Sequence, residues 1–415
     1  MLQLLVALTV LLSASLLLEK FFERLHQPVI LGQLLAGIVL GPSLLGKLSP
    51  ITYDWMFKSS DIWNGFLPGF NTLAGIFLLL FAGLKVGMPN WDGLGKPTLA
   101  VSVGGMVLPA LLGCIAVFFG DTWGLPARYQ DSWAFMAFFA LALSISALPV
   151  IAKTLMELHL LRTKIGSITM ASASVNDVLG WVLFSVVLAA AKGNEVSYID
   201  VLQTLSFTLI FAVVMVRLVP IVFNRLSRQD TGHDTVHLYP IIISTLLAAA
   251  VTDWIGVHAF FGAFFAGVAW SRVHGTSDIA FKRTKDIVFS FFAPIFFASL
   301  GLKADFTSNF DFSIVAMTLA LACAGKIIGC GLAALATGVN YRKAWSIGFC
   351  MNARGAMEMI FGAIAYETGL IGAEIYVALM AMAFITSAMA GPAITTILMI
   401  NRPVKEVVVR NRVVG

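Results

Sequence analysis

Asp177 lies in the stretch ASASVNDVLGW, residues 171–181, within an apolar run long enough to cross a membrane. At about 1.5 Å of rise per residue it is about 20 Å from either end of that run, too deep for its side chain to reach surface water. An ionised Asp at this depth costs about 3 kcal/mol, so the carboxylate must be paired, hydrated or protonated. A proton and a cation then compete for the same oxygens.

That competition has a chemical use when the site opens to the two sides of the membrane in turn. One carboxylate would then exchange one proton for one monovalent cation with no net movement of charge. Asn176, the preceding residue, offers a carbonyl oxygen that could replace part of a cation's water shell without adding charge. The alternative for Asp177 is a structural ion pair that holds helices together, but acids inside a membrane segment are functional by default.

Lys326 is a second costly residue, at the centre of the apolar stretch CAGKIIGCG. It could be a counter-ion that an incoming cation displaces from Asp177, a partner for the ends of broken helices, or a structural lysine bound to backbone carbonyls. Arg354 and Glu358 stand four residues apart on one helix, so they can pair locally or take part in gating.

Two apolar segments carry signs of interruption. The first reads ALSISALPVIAK, residues 142–153, where a proline removes a backbone donor and serines can satisfy the freed groups. The second reads GFCMNARGAMEM, residues 348–359. Three polar residues at these breaks could supply oxygens to an ion, although capping of the half-helices is the favoured role: Ser144, Ser146 and Asn352.

A pair of interrupted helices in corresponding places is typical of transporters with inverted repeats and a site at the midplane. We expect repeats at about 1–191 and 236–400, a linking helix at 200–223 and a short cytoplasmic tail at 401–415. Ser146 precedes Asp177 by 31 residues, and Asn352 precedes Ser387 by 35. Since Ser387 is not an acid, the ion site is expected to be asymmetric.

The composition requires these elements to lie in a bilayer. Of 415 residues, 59% are hydrophobic and 12% charged, and the mean hydropathy is +0.90, so we predict an all-α polytopic membrane protein. We place thirteen transmembrane helices, roughly at residues 1–18, 28–45, 66–87, 97–119, 133–157, 164–191, 200–223, 236–252, 256–272, 284–301, 313–337, 342–368 and 371–400.

Basic residues alternate between the predicted loops. One set of loops and the tail holds nineteen Lys and Arg, the opposite set holds five, and three lie within spans. The positive-inside rule therefore places the N-terminus outside and the C-terminus in the cytoplasm. The expected location is a bacterial inner membrane. The stretch Met1–Leu18 has no basic start or cleavage site and is expected to be a retained span, not a signal peptide.

Several function classes find no support in the sequence. The four cysteines lie in apolar segments without CxxC spacing, so neither disulfides nor a metal cluster is expected. The short loops carry no nucleophile elbow or phosphate loop, so we expect no enzyme activity and no cofactor. The net charge of +5 follows membrane topology and does not indicate a nucleic-acid partner.

Motifs in order along nearly the whole chain resemble the monovalent cation/proton antiporter-2 family. They include QPVILGQLLAGIVLGPSLLG, SALPVIAKTLMELHLL, MASASVNDVLGW, APIFFASLGLKADF, ACAGKIIGCG and MNARGAMEMI. Those from the fifth span onward are most similar to plant cation/proton exchangers and their bacterial relatives. The resemblance implies the sodium/proton antiporter fold, with two crossed broken helices in a core that moves against a dimerisation domain, and a homodimer.

The resemblance also implies roles for single residues. Asp177 would be the ion-binding carboxylate, Asn176 the neighbour that marks electroneutral members, Lys326 a lysine near the site, and Arg354 a residue that stabilises the second broken helix. In electrogenic relatives a second Asp supplies a carboxylate partner for this lysine, and Lys326 would lack that partner. Lys85 lies at a position where many relatives have an acid. Because only fifteen residues follow the last span, we expect no nucleotide-binding domain in this chain.

The sequence thus predicts an electroneutral antiporter that exchanges K⁺ or Na⁺ for H⁺, with the cation, the proton, the lipid bilayer and a second copy as its partners. Three alternatives remain open at this point. They are a cation uniporter or channel on the same scaffold, a carrier of an organic cation or cation-complexed metabolite in a cavity lined by some of the 32 phenylalanines, and a receptor that transports nothing.

Overall fold

The computed structural model describes residues 2–25, 27–58, 65–86, 95–161, 163–191, 198–227, 238–255, 258–273 and 285–399. Helices make up this part of the chain, and no strand occurs within it. In chain order the α-helices are α1 (Leu2–Arg24), α2 (Val29–Leu40), α3 (Leu45–Leu48), α4 (Pro50–Phe57), α5 (Leu67–Val86), α6 (Lys96–Phe118), α7 (Ala127–Gln130), α8 (Trp133–Ser144), α9 (Leu148–Glu157), α10 (Lys164–Ala191), α11 (Tyr198–Ser227), α12 (Leu238–Ile255), α13 (Ala259–Trp270), α14 (Ala293–Lys303), α15 (Phe312–Ala336), α16 (Tyr341–Met351), α17 (Ala356–Glu367) and α18 (Ala373–Met399).

Ten helical segments in these ranges are long and apolar enough to cross a membrane. They coincide with ten of the predicted spans, which confirms the predicted fold class. Shorter helices cover the other three predicted spans: α8 with α9, α13, and α16 with α17. Since α13 has 12 residues, fewer than the roughly 20 of a full span, the count of thirteen crossings stays a prediction. The predicted tail at 401–415 and the side chain of Lys85 lie outside what the structure describes.

The helices pack in two groups, here named the scaffold group and the core group. The scaffold group contains α1, α2, α5, α12, α13 and α14, and the core group contains α6, α8, α9, α10, α15, α16, α17 and α18. Helix α11 lies between them and contacts both α10 and α13. Contacts within each group are far more extensive than contacts between the groups, so each group packs as a unit.

Glycines allow helix backbones to touch inside each group. In the core group, a Cβ atom on Gly104 of α6 would lie 2.5 Å from the carbonyl oxygen of Gly329 on α15. The same close approach joins Gly37 of α2 to Gly301 of α14 and Gly83 of α5 to Gly267 of α13 in the scaffold group. Small residues at crossings are a common means of packing helices in a bilayer, where the hydrophobic effect does not hold them together.

Both predicted interruptions are present. Helix α8 ends at Ser144 and α9 begins at Leu148, while α16 ends at Met351 and α17 begins at Ala356. Pro149 falls in the first turn of α9, where its missing N–H costs no intrahelical hydrogen bond. Each of these four pieces is a half-length helix, so four helix ends lie inside the apolar part of the protein.

Candidate ion site at the crossed helix breaks

The two breaks cross and are hydrogen-bonded to each other. The Ala147 N–H donates to the Ala353 carbonyl at 2.9 Å, and the Ser146 hydroxyl donates to the Met351 carbonyl at 2.7 Å. The crossing is tight at Gly355, where a Cβ atom would lie 2.8 Å from Cγ2 of Val150. These bonds satisfy backbone groups that would otherwise be unpaired in the apolar interior.

Asp177 and Asn176 lie beside this crossing, on α10. Their exposed fractions are 2% and 1%. One turn further along the helix, a Cβ atom on Gly180 would lie 3.6 Å from the Ile145 side chain in the first break. Asp177 Oδ1 and both polar atoms of the Asn176 amide have no hydrogen-bond partner among the described residues. Buried polar atoms without partners cost about 1–3 kcal/mol each, and these adjacent unpaired oxygens could bind an ion.

Lys326 is fully buried on α15, and its ammonium is bound to backbone carbonyls. It donates to the Gly105 carbonyl at 2.9 Å and to the Ser144 carbonyl at the end of α8. The last carbonyls of a helix lack intrahelical partners and carry partial negative charge, which a cation stabilises. Lys326 and Asp177, which both lie in the described part of the chain, form no ion pair. Of the alternatives from the sequence, the geometry therefore matches the partner of a helix end and the carbonyl-bound lysine.

Arg354 joins the two broken helices at the same helix end. Its guanidinium is fully buried and donates to the Ala142 carbonyl at 2.7 Å and to the Leu143 carbonyl at 2.5 Å. The predicted pair with Glu358 is also present, with Nη1 of Arg354 3.2 Å from Oε1 of Glu358. The C-terminal carbonyls of α8 are thus covered by two cations, Arg354 and Lys326.

The polar residues at the breaks make local hydrogen bonds. The Ser144 hydroxyl donates to the Ala140 carbonyl at 2.7 Å and lies 3.0 Å from the Met106 carbonyl. Asn352 donates its amide N–H to the Cys323 sulfur at 3.4 Å, whereas its Oδ1 has no partner in the part of the chain that the structure describes. The serine hydroxyls thus donate to backbone carbonyls. The side-chain oxygen of Asn352 is unpaired, like those of Asn176 and Asp177.

Two further residues approach the site. A Cβ atom on Gly105 of α6 would lie 3.7 Å from both the Asn176 Nδ2 and the Lys326 Nζ. Ser387 of α18 donates its hydroxyl to the Arg354 carbonyl, so the residue predicted as the counterpart of Asp177 contacts the second break. Gly105 was not among the predicted site residues. The adjacent glycines at 104 and 105 within an apolar helix were the available signal.

The described helices and the site define a class of protein: a multi-pass membrane protein in which two broken helices cross beside a buried carboxylate. A search of solved structures finds the same fold in the sodium proton antiporter MjNhaP1 from Methanocaldococcus jannaschii at pH 8. The TM-score is 0.68 and the sequence identity 15%, over 96% of this chain and 99% of that one. At that identity the similarity establishes the fold.

Sequence comparisons identify the family. The family model described as "Sodium/hydrogen exchanger, transmembrane" matches residues 7–400. Cation/H(+) antiporter 19 of Arabidopsis thaliana is 32% identical over 394 residues, which cover 92% of this chain and 48% of that protein. Na(+)/H(+) antiporter NhaS4 of Synechocystis is 30% identical over 395 residues, which cover 94% of this chain and 95% of that protein.

The chain therefore belongs to the sodium/hydrogen exchanger family. It spans about half the length of the plant relatives that it matches. The predicted resemblance is confirmed at the level of the family.

Proposed function

We propose that this protein is a secondary active antiporter that exchanges a monovalent cation, K⁺ or Na⁺, for H⁺ without net charge movement. The observation that carries the proposal is the position of Asp177: its carboxylate is buried, has an unpaired oxygen beside the unpaired amide of Asn176, and lies next to two crossed helix breaks. The family membership supports the same activity.

The stoichiometry follows from the charges in the site. Glu358 is paired with Arg354, which leaves Asp177 as the acid without an ion-pair partner among the described residues at the crossing. A proton neutralises it, and so does a monovalent cation with Asn176 as an uncharged ligand. The loaded site has the same charge in both cases, so one H⁺ is exchanged for one cation. The proposed cycle uses no cofactor.

Alternating access requires the site to move relative to the rest of the protein. Asp177, the two breaks, Lys326 and Arg354 all belong to the core group, whose helices contact one another more than they contact the scaffold group. The core group would therefore carry the whole site with it if it moves as a unit. Arg354 and Lys326 hold the end of α8 in place, so they would keep the site intact during that movement.

We further propose that the protein works as a homodimer in a bacterial inner membrane, with its N-terminus outside and its C-terminus in the cytoplasm. The orientation is supported by the nineteen basic residues on one set of loops and five on the other. Cysteine accessibility from each side of sealed vesicles would test the orientation, and the mass of the purified protein in detergent would test the dimer.

The exchange can be measured in proteoliposomes that contain a trapped pH indicator. Addition of Na⁺, K⁺, Rb⁺ or Li⁺ outside should move protons for at least one of these ions, and Asp177→Asn should abolish the signal. Asp305→Asn is a suitable control, because Asp305 is a loop acid whose side chain bonds locally to Thr307 and Ser308.

Electroneutrality needs a separate arm of the same assay, with Na⁺ as substrate and one fixed K⁺ gradient, where the addition or omission of valinomycin sets the membrane voltage. We expect the initial rate to be the same with and without valinomycin. A rate that follows the voltage would contradict one-for-one exchange, and cation flux without proton movement would favour a uniporter or channel. Retained exchange in Asp177→Asn would show that the site has been assigned to the wrong residue.

A further inference from the structure

A groove with a cavity of about 460 Å³ lies between α10, α11 and α13. Its walls are apolar and include Val178 and Val182 of α10, Ala212 and Val213 of α11, and Phe265 of α13. Val213 is 59% exposed, so the groove is open at the surface of the helix bundle. In a bilayer this surface faces lipid chains or another membrane-embedded chain.

Two arginines also line this groove. Arg217 is the most C-terminal of the α11 residues that line it, and Arg272 follows the end of α13 by two residues. Helices α11 and α13 both run toward the same side in the predicted topology, so the arginines lie at the same end of the groove. Both side chains belong to exposed residues.

The guanidinium groups of both arginines form no hydrogen bond or ion pair with another described residue. Arg217 lies within the apolar segment Ser206–Phe223, six residues before its end, which is about 9 Å inside at helical rise. A guanidinium at that depth needs an anion or a route to the interface. Two guanidinium groups that line one cavity repel each other unless an anion lies between them.

We propose that this groove binds an anionic phospholipid. The headgroup phosphate would accept hydrogen bonds from Arg217 and Arg272, and one acyl chain would lie along the valines of α10 and α11. The planar guanidinium matches the geometry of a phosphate oxygen pair, and basic pockets between membrane helices recognise anionic headgroups. With the predicted orientation, the lipid comes from the cytoplasmic leaflet.

The position of the groove gives this lipid contacts with both packing groups. Its α10 wall is part of the helix that carries Asp177, whereas its α13 wall belongs to the scaffold group. A bound lipid would fill the space between them. The proposal concerns binding and does not rest on the proposed antiport, and it can be tested by lipid binding alone.

The test uses purified protein in phosphatidylcholine nanodiscs with a small fraction of phosphatidylglycerol that carries a photoactivatable diazirine on one acyl chain. We expect cross-links to α10 and α11 peptides, and weak labelling by the matched phosphatidylcholine probe. Arg217→Gln and Arg272→Gln should each lower the labelling about fivefold, the effect of one basic residue facing an anionic lipid. Arg217→Lys should retain most of it.

Two further variants separate the headgroup from the chain. Lys343→Gln removes an exposed positive charge from the start of α16, away from the groove, and should leave the labelling unchanged. Ala212→Leu keeps both arginines but fills the cavity, because Ala212 is 7% exposed and lines the groove, and it should reduce the labelling. Size-exclusion profiles show whether each variant is folded, and only folded variants are compared.

The proposal is overturned if both probes label the groove equally, or if the glutamine variants are labelled like the wild type. Glycerol phosphate, which lacks acyl chains, should not compete; equal competition would identify a free phosphate site in place of a lipid site. If a cysteine at Val213 forms a disulfide with the same cysteine in a second copy, and the probe is excluded, the groove is an interface between copies.

Discussion

Arg354 is the residue whose loss should disturb the site most. We predict that Arg354→Met lowers the free energy of unfolding by at least about 3 kcal/mol, because it leaves the buried Glu358 carboxylate without its partner. The change also leaves the Ala142 and Leu143 carbonyls unpaired, at about 1–3 kcal/mol each. Some relaxation of the helix end will reduce this sum.

Glu358→Gln should cost much less, about 1 kcal/mol, since the glutamine oxygen can still accept from Arg354 and both carbonyls keep their donor. The double variant Arg354→Met with Glu358→Met removes the unpaired acid and should recover part of the loss. It should remain below the wild type, because the α8 carbonyls still lack a donor. The order of stability is therefore wild type, Glu358→Gln, the double variant and then Arg354→Met.

The measurement is reversible unfolding by SDS in mixed micelles, followed by tryptophan fluorescence. Lys343→Met, at an exposed position on α16, controls for the removal of a positive charge. If Arg354→Met is no less stable than Glu358→Gln, the guanidinium does not hold the two broken helices together. If the double variant is as stable as the wild type, the carbonyl contacts contribute nothing measurable.

Three more predictions concern the residues around the crossing. Asp177→Asn should abolish exchange in proteoliposomes without lowering stability in the SDS assay, since an amide replaces a buried carboxylate with an unpaired oxygen; a destabilised variant would indicate a structural role. Asn176→Asp places a second acid in the site, so exchange should begin to follow an imposed voltage in the valinomycin assay; unchanged rates would contradict the assigned role of Asn176. Gly355→Ala should lower the free energy of unfolding by about 1–3 kcal/mol, because the added methyl group overpacks against Val150. The control in the SDS assay is Gly391→Ala, whose Cβ would meet nothing within 4 Å. Equal stabilities of the two variants would show that the helices at the crossing can move apart to accept the methyl group.

The sequence was sufficient to predict the breaks and the buried acid. A proline with two serines, and an Asn-Ala-Arg-Gly run, are unusual in apolar segments, and both mark the points where helices end. Asp177 stands out for the same reason, because the cost of a charge in lipid makes each intramembrane acid conspicuous. These features are local, so one sequence reveals them.

The sequence did not show which backbone carbonyls the buried cations bind. Arg354 and Lys326 bind backbone carbonyls of α8 and α6, and every residue has a carbonyl, so no side chain marks these positions. The groove beside Arg217 and Arg272 depends on how three separate helices pack. Such contacts are set by the tertiary arrangement and leave no periodic pattern in the sequence.

The glycine contacts within the scaffold and core groups indicate which substitutions would act on folding and which would act on turnover. At Gly104 or Gly37, an added methyl group would meet the backbone of the neighbouring helix. It would force the two helices apart and destabilise the folded protein. Between α10 and α13 aromatic side chains such as those of Trp181 and Phe264 lie between the helices, so a change in their size would act on the proposed movement of the core group. Mutational scans should therefore divide into variants that reduce the amount of folded protein and variants that change only turnover.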